Sequence, residues 1–144
     1  MLFKKIGVIM NRINIELLNT INEHFKHFDQ DFLKQKPCRI SVDKVLEKIK
    51  NNEKILIVDI RTEFETQLVG YTYKDSINIP LNKLFEEENI KKLLEYQDKG
   101  YELIISCHSG ARTIVATAFL HLLGIESAKS LEGGIAAFAD AVKP

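Results

Sequence analysis

Two apolar, β-branched runs of strand length dominate the chain, and a segment with helical spacing follows each of them. The runs are EKILIVDI, which ends at residue 60, and YELIIS, which ends at residue 106. Neither alternates polar with apolar side chains, as expected for strands that are buried on both faces of a parallel sheet. Strands that alternate with helices predict an α/β fold with a central parallel sheet and helices on both faces.

Weaker signals complete the predicted order of elements. Ser41 is suited to cap the first helix of the series, and Gly100 is suited to end the second. The remaining segments with helix or strand signals are helices at 40–52, 84–100, 112–124 and 135–143, and strands at 76–80 and 126–131.

Residues 1–36 differ from the domain expected at 37–144, and they are predicted to form an N-terminal helical extension. Seven Ile, Leu and Phe residues recur there at spacings of three and four, which predicts an amphipathic helix from about 12 to 33. Pro37 ends it, because a proline disfavours helix in the residue before it. The apolar stripe must be buried somewhere, so we expect a monomer or a homodimer formed through this helix.

The charge balance and the cysteine content exclude several classes of protein. Twenty basic residues balance twenty acidic ones, so no nucleic-acid partner is expected, and no stretch is apolar enough for a membrane partner. The first residues faintly resemble a secretory signal, but Asn11 and Arg12 interrupt the apolar run. With only two cysteines, free thiols in a cytoplasmic protein are expected. His24 and His27 lie three apart without further ligands, which favours a solvated helix face over a metal site.

The stretch SCHSGART places Cys107 directly after the second strong strand and just before a helix. Active sites of open α/β sheets lie at the carboxyl ends of strands, and helix N-termini direct N–H groups and partial positive charge at one spot. Gly110 lets the loop turn tightly, and Arg112 adds a cation. Such surroundings favour a thiolate, which is suited to covalent chemistry at sulfur. The alternative is a small buried cysteine that only packs.

Four segments together resemble the motifs of rhodanese-like sulfurtransferases, in the same order and with similar spacing. The loop CHSGART is similar to the active-site loop of that family. The other three are ILIVDIRTEFE, INIPL and LEGGIAAF. The resemblance covers residues 40 to 144.

The resemblance implies an activity. Rhodaneses take a sulfane sulfur from a donor anion such as thiosulfate onto a cysteine and pass it to cyanide or a thiol, without a metal or organic cofactor. Cys107 would be the nucleophile and persulfide carrier, and Arg112 would bind the donor anion or brace the loop. Asp59 and Arg61 would brace the scaffold, with Glu65 as their carboxylate partner. The backbone amides expected to cradle the outer sulfur are those of the loop residues His108, Ser109, Gly110, Ala111 and Thr113.

The chain also departs from the family pattern, which leaves alternatives open. The family has Gly-His-Ile-x-Gly-Ala where this chain has GYTYKDSINIP, so donor preference is open, and Phe138 replaces the usual tryptophan. Two other functions fit the fold: a binding module without turnover, and a phosphatase or arsenate reductase. The four residues between Cys107 and Arg112, against five in the related phosphatases, favour sulfur. Cys38 would resolve a persulfide only if the fold brought it close to Cys107.

Overall fold

The computed structural model of the protein describes residues 10–144 in two compact units, one that ends at Gln35 and one at 36–144. The first nine residues, which include most of the stretch that resembles a secretory signal, lie outside the described part. Within residues 10–144, no helix combines the length and the apolar character that a membrane crossing requires.

Between residues 11 and 35 the structure has two helices, so the single helix predicted from about 12 to 33 is wrong. Helix α1 (Ile15–Phe25) and helix α2 (Gln30–Lys34) are separated by four residues. Asp29 adopts extended backbone angles, and its side chain accepts a hydrogen bond of 2.9 Å from the N–H of Phe32. An aspartate that caps a new helix competes with continuation of the previous one, although the apolar spacing runs through the break.

The second unit is built on a five-stranded sheet in which every pair of neighbours is parallel, as the sequence predicts. Its strands lie in the order β1-β5-β4-β2-β3. Their bounds are β1 (Arg39–Ile40), β2 (Ile55–Asp59), β3 (Ser76–Asn78), β4 (Glu102–Ser106) and β5 (Ala128–Leu131). The sequence does not predict β1, because two residues are too short to give a periodic signal.

Six helices surround the sheet: α3 (Val42–Lys50), α4 (Glu63–Leu68), α5 (Leu81–Leu84), α6 (Glu87–Asp98), α7 (Ala111–Leu122) and α8 (Gly134–Val142). Ser41 caps α3 as predicted, accepting a hydrogen bond of 3.2 Å from the N–H of Lys44. The helix predicted over 84–100 is divided, since α5 ends before Phe85 and α6 begins after Glu86. Helix α4 is not predicted from the apolar pattern.

Alternate residues of β2 face opposite layers of the core, which confirms helices on both faces. Leu56 and Val58 pack in one cluster, with side chains from α6 and α7. Ile55 and Ile57 pack in the other, with side chains from α3 and α8. Burying each such side chain contributes about 1.5–3 kcal/mol to folding. The parallel register sets the ends of β2 and β4 side by side, so their following loops share one edge of the sheet.

Candidate active site

Cys107 begins the loop that joins β4 to α7, at the carboxyl edge of the sheet. Gly110 is the N-cap of α7 and has a φ of 103°, in the left-handed region that favours glycine. This turn directs the first N–H groups of α7 back toward the start of the loop. The glycine predicted to let the loop turn tightly is therefore the residue that adopts the required backbone angles.

The Cys107 sulfur lies against these N–H groups. The side chain is buried, and the Gly110 N–H donates a hydrogen bond of 3.1 Å to Sγ. Burial raises the pKa of the Cys107 thiol, but hydrogen bonds from the backbone N–H groups of Gly110, Thr113, Arg112 and Ser109 lower it, and the lowering prevails. The site therefore stabilises a thiolate, the form in which cysteine acts as a nucleophile.

The other loop residues contribute to the site mainly through the backbone. The side chains of His108, Ser109 and Ala111 are exposed. Thr113 is buried, and its hydroxyl donates to the Gly110 carbonyl at 2.9 Å and lies 2.6 Å from the Ser130 hydroxyl. Thr113 thus ties the loop to β5, while its N–H group helps to hold the sulfur.

Arg112 and Glu65 form a bidentate ion pair across the mouth of the site. The two guanidinium–carboxylate hydrogen bonds measure 2.9 and 3.0 Å. Glu65 also accepts from the N–H of Thr62 at 2.8 Å, which completes a capping box at the start of α4. The hydrogen bond from Arg112 is the main cause that lowers the pKa of Glu65 to about 2. The pair therefore joins the cysteine loop to the segment after β2.

Asp59 and Arg61 form a second ion pair, which is buried. The Arg61 guanidinium donates to the Asp59 carboxylate at 2.7 Å and to the Val69 carbonyl at 2.9 Å. The expectation that Glu65 would be the carboxylate partner of this pair is wrong, because Glu65 binds Arg112. The Arg61 side chain folds back toward the end of β2. The Asp59 carboxylate therefore accepts its hydrogen bonds from Arg61.

Two consecutive glycines after β5 form the floor beneath the cysteine loop. Gly134 has a φ of 59°, and a Cβ placed there would overlap the Cys107 and His108 carbonyls. Those carbonyls instead accept hydrogen bonds from the N–H groups of Ile135 at 2.9 Å and Ala136 at 3.2 Å. Both glycines belong to the LEGGIAAF motif, but the sequence analysis predicted no role at the site for them.

Tyr71 and Ser106 are further neighbours of the site that sequence reasoning missed. The Tyr71 hydroxyl lies 2.6 Å from the Ser106 hydroxyl, in the residue before Cys107. Burial is the main cause that raises the pKa of Tyr71 to about 12. Its ring packs edge-on against Phe138 at 5.2 Å between centroids. Tyr71, in the divergent segment GYTYKDSINIP, is thus in contact with Phe138, which replaces the family's usual tryptophan.

Cys38 directly precedes the edge strand β1, two strands away from β4, which Cys107 follows. The strand registers place Cys38 level with Ile104, which is three residues before Cys107 and two strands away. Spacings of about 3.3 Å per residue and 4.8 Å per strand put the two cysteine Cα atoms about 14 Å apart. A disulfide allows only about 4.4–6.8 Å, so Cys38 cannot resolve a persulfide on Cys107 of the same chain.

The fold and the loop define a class of protein: an α/β domain whose parallel sheet presents a cysteine at the N-terminus of a helix. A family model described as Rhodanese-like domain matches residues 41–141. This chain belongs to the rhodanese-like family.

Individual relatives agree with this assignment. A sulfurtransferase from Allochromatium vinosum is 29% identical over 100 residues, which cover 69% of this chain and 86% of that protein. The structure of a rhodanese-related protein from Thermoplasma volcanium is 29% identical with a TM-score of 0.60, covering 74% of this chain and 95% of that one. A rhodanese-like domain protein from Staphylococcus aureus is 26% identical with a TM-score of 0.52, covering 70% and 90%.

Proposed function

We propose that the protein is a sulfurtransferase that carries a sulfane sulfur as a persulfide on Cys107. The observation that supports this best is the 3.1 Å hydrogen bond from the Gly110 N–H to Sγ, within a ring of N–H groups that lowers the thiol pKa. The thiolate would attack the outer sulfur of a donor such as thiosulfate. The donor's S–S bond breaks, sulfite leaves, and the sulfur stays on Cys107. Cyanide or a thiol then removes it.

The N–H groups that now stabilise the thiolate would also stabilise the charged outer sulfur of the persulfide. In this proposal the backbone of residues 108–113 binds the transferred sulfur. Arg112 acts as a positioning residue, because Glu65 already occupies its guanidinium through two hydrogen bonds. Asp59 and Arg61 hold the end of β2 and do not take part in the chemistry.

The proposed reaction requires an environment in which Cys107 stays reduced. Transfer requires a reduced Cys107, and both cysteines are free thiols. A reducing cytoplasm fits this requirement. The donor and the acceptor are small molecules in this account, and the protein acts as a monomer or a homodimer.

Steady-state formation of thiocyanate from thiosulfate and cyanide tests the proposal. Cys107→Ser should abolish turnover, whereas Cys38→Ser should retain it, because Cys38 lies two strands away from Cys107. Thiocyanate formation by Cys107→Ser would overturn the mechanism. A wild-type protein without turnover would support a binding module, and robust hydrolysis of an aryl phosphate would support the phosphatase alternative.

A further inference from the structure

Tyr71 reaches the cysteine loop from a segment that has no role in the proposed chemistry. It lies between α4 and β3, and its hydroxyl is 2.6 Å from that of Ser106, the last residue of β4. Its ring packs edge-on against Phe138 of α8, with 5.2 Å between the centroids. Tyr71 therefore contacts both the strand that precedes Cys107 and the helix that follows β5.

A buried ion pair holds the segment that carries Tyr71. Arg61 donates to the Val69 carbonyl at 2.9 Å, two residues before Tyr71, while the Asp59 carboxylate binds the same guanidinium. Both charged side chains are buried, and breaking a buried pair is costly, so this anchor is firm. The Tyr71 side chain is thus fixed from two directions, by the backbone at Val69 and by the Phe138 ring.

The hydroxyl groups of Tyr71 and Ser106 direct a proton toward Cys107. A phenol is a stronger acid than an aliphatic alcohol, so the Tyr71 O–H donates and the Ser106 oxygen accepts. Ser106 is fully buried, so its own proton requires an acceptor. Among the residues that the structure describes, the Cys107 carbonyl is the remaining acceptor, at a long 3.4 Å from the Ser106 oxygen.

These contacts meet at the Cys107 carbonyl. It also accepts a hydrogen bond of 2.9 Å from the N–H of Ile135, in the first turn of α8. Tyr71 supports both donors, because its hydroxyl binds Ser106 and its ring packs on Phe138, one turn after Ile135. A peptide is planar, so two donors on the carbonyl fix the orientation of Cys107 at the start of the loop.

The Tyr71 hydroxyl keeps its proton while Cys107 titrates. Burial is the main cause that raises the pKa of Tyr71 to about 12, and the charged or titratable groups that act on it are Asp59, Arg61 and Cys107. Tyr71 therefore remains a donor at every pH at which the Cys107 thiolate forms.

We propose that Tyr71 is a positioning residue that acts through Ser106 to hold the Cys107 sulfur within its ring of backbone N–H groups. The proposal rests on the proposed function for its effect on sulfur transfer. Loss of the Tyr71 hydroxyl releases the Ser106 hydroxyl and loosens the Cys107 peptide. The hydrogen bonds to the sulfur become weaker, and a smaller fraction of Cys107 is thiolate at a given pH.

Tyr71→Phe tests the proposal, because it removes the hydroxyl and keeps the ring. In a Cys38→Ser background, the pH of half-maximal alkylation of Cys107 by iodoacetamide should rise by about 0.5 unit, as expected for the loss of part of one hydrogen bond. Sulfur loading from saturating thiosulfate at neutral pH should slow by about fivefold, with the half-saturating concentration little changed.

Tyr73→Phe is the matched control, and it should change neither quantity. Tyr73 packs against the same core cluster as Tyr71, but its hydroxyl has no hydrogen-bond partner among residues 10–144. Ser106→Ala removes the middle of the same chain of hydroxyls and provides the test if Tyr71→Phe does not fold. It should reproduce the alkylation shift, and the double variant should be no worse than either single one, because both changes break one interaction.

The outcomes separate this inference from the proposed function. Wild-type protein that takes no sulfur from thiosulfate would overturn the proposed function, and with it the effect of Tyr71 on transfer. If the protein loads but Tyr71→Phe and Ser106→Ala keep the wild-type alkylation profile and loading rate, this inference alone is overturned. A loss of stability in urea without a shift in the alkylation profile would likewise show that Tyr71 only packs.

Discussion

The Arg112 guanidinium binds the Glu65 carboxylate through two hydrogen bonds of 2.9 and 3.0 Å. The carboxylate belongs to a capping box that fixes the first turn of α4, and the guanidinium belongs to the first turn of α7. The pair therefore connects two segments that follow different strands of the sheet. This contact makes Arg112 a residue that positions the loop, although sequence reasoning also allowed it to bind the donor anion.

Arg112→Ala should slow sulfur transfer by about tenfold, because a bidentate, charge-assisted contact is lost. Glu65→Gln removes the same ion pair and should reduce kcat in a similar way, with KM for thiosulfate little changed in both variants. The double variant should be little worse than either single one, since the two changes break one interaction. A large increase in KM that is confined to Arg112→Ala would show instead that the guanidinium binds the donor.

The lowered pKa of Cys107 predicts that its alkylation extends to lower pH than that of an ordinary cysteine. The N–H groups favour the thiolate, so the reactive form persists below the ordinary cysteine pKa of about 8.5. Reaction with iodoacetamide, followed by intact mass in a Cys38→Ser background, should therefore reach its half-maximal rate at a lower pH than for an ordinary cysteine. Cys38 in Cys107→Ser should become reactive only at higher pH than an ordinary cysteine, because burial raises its pKa. If alkylation of Cys107 became fast only near pH 8.5, the result would contradict the role given to the backbone N–H groups around its sulfur.

Gly134 should tolerate no side chain. Gly134→Ala places a Cβ into the Cys107 and His108 carbonyls, in addition to the strain of a positive φ. Gly124→Ala is the matched control, because Gly124 has a φ of 98° and open space around it. The control should cost about 1 kcal/mol of unfolding free energy from backbone strain alone. Urea unfolding should show a larger loss for Gly134→Ala together with reduced sulfur transfer, and equal losses would contradict the packing argument.

The domain at 37–144 should fold without residues 1–36. The described sheet and both of its core clusters lie within the second unit, so their contacts do not require the extension. Deleting residues 1–36 should leave thiosulfate activity but alter solubility or oligomeric state, because the apolar stripe of the extension would be lost. Sedimentation and activity of both proteins would check this. An unfolded truncated chain would show that the extension belongs to the core.

The parts of the fold that follow from local chemistry could be predicted. The apolar runs of β2 and β4 predicted the sheet. Ser41 predicted the start of a helix, and Gly110 predicted the tight turn beside Cys107. Each of these depends on the residue itself and its near neighbours in sequence. The family resemblance then pointed to the cysteine loop as a whole.

The parts that depend on contacts between distant segments could not be predicted. Glu65 stands four residues after Arg61, yet it binds Arg112, which is 47 positions away. Gly134 is required because β5 places it against the Cys107 carbonyl. The sequence around Gly134 does not reveal this contact, because Cys107 is far away in the chain. The break between α1 and α2 was missed for another reason, since the capping by Asp29 competes with an apolar spacing that continues through it.

The central claim is that Cys107 accepts a sulfane sulfur, and the intact mass of the protein after brief exposure to thiosulfate tests it most directly. The account predicts the addition of one sulfur atom, localised to the peptide with Cys107, and its removal by cyanide. Cys107→Ser should gain no sulfur, and Cys38→Ser should gain as much as the wild type. A protein that gains no sulfur, or gains it on Cys38 instead, would contradict the account.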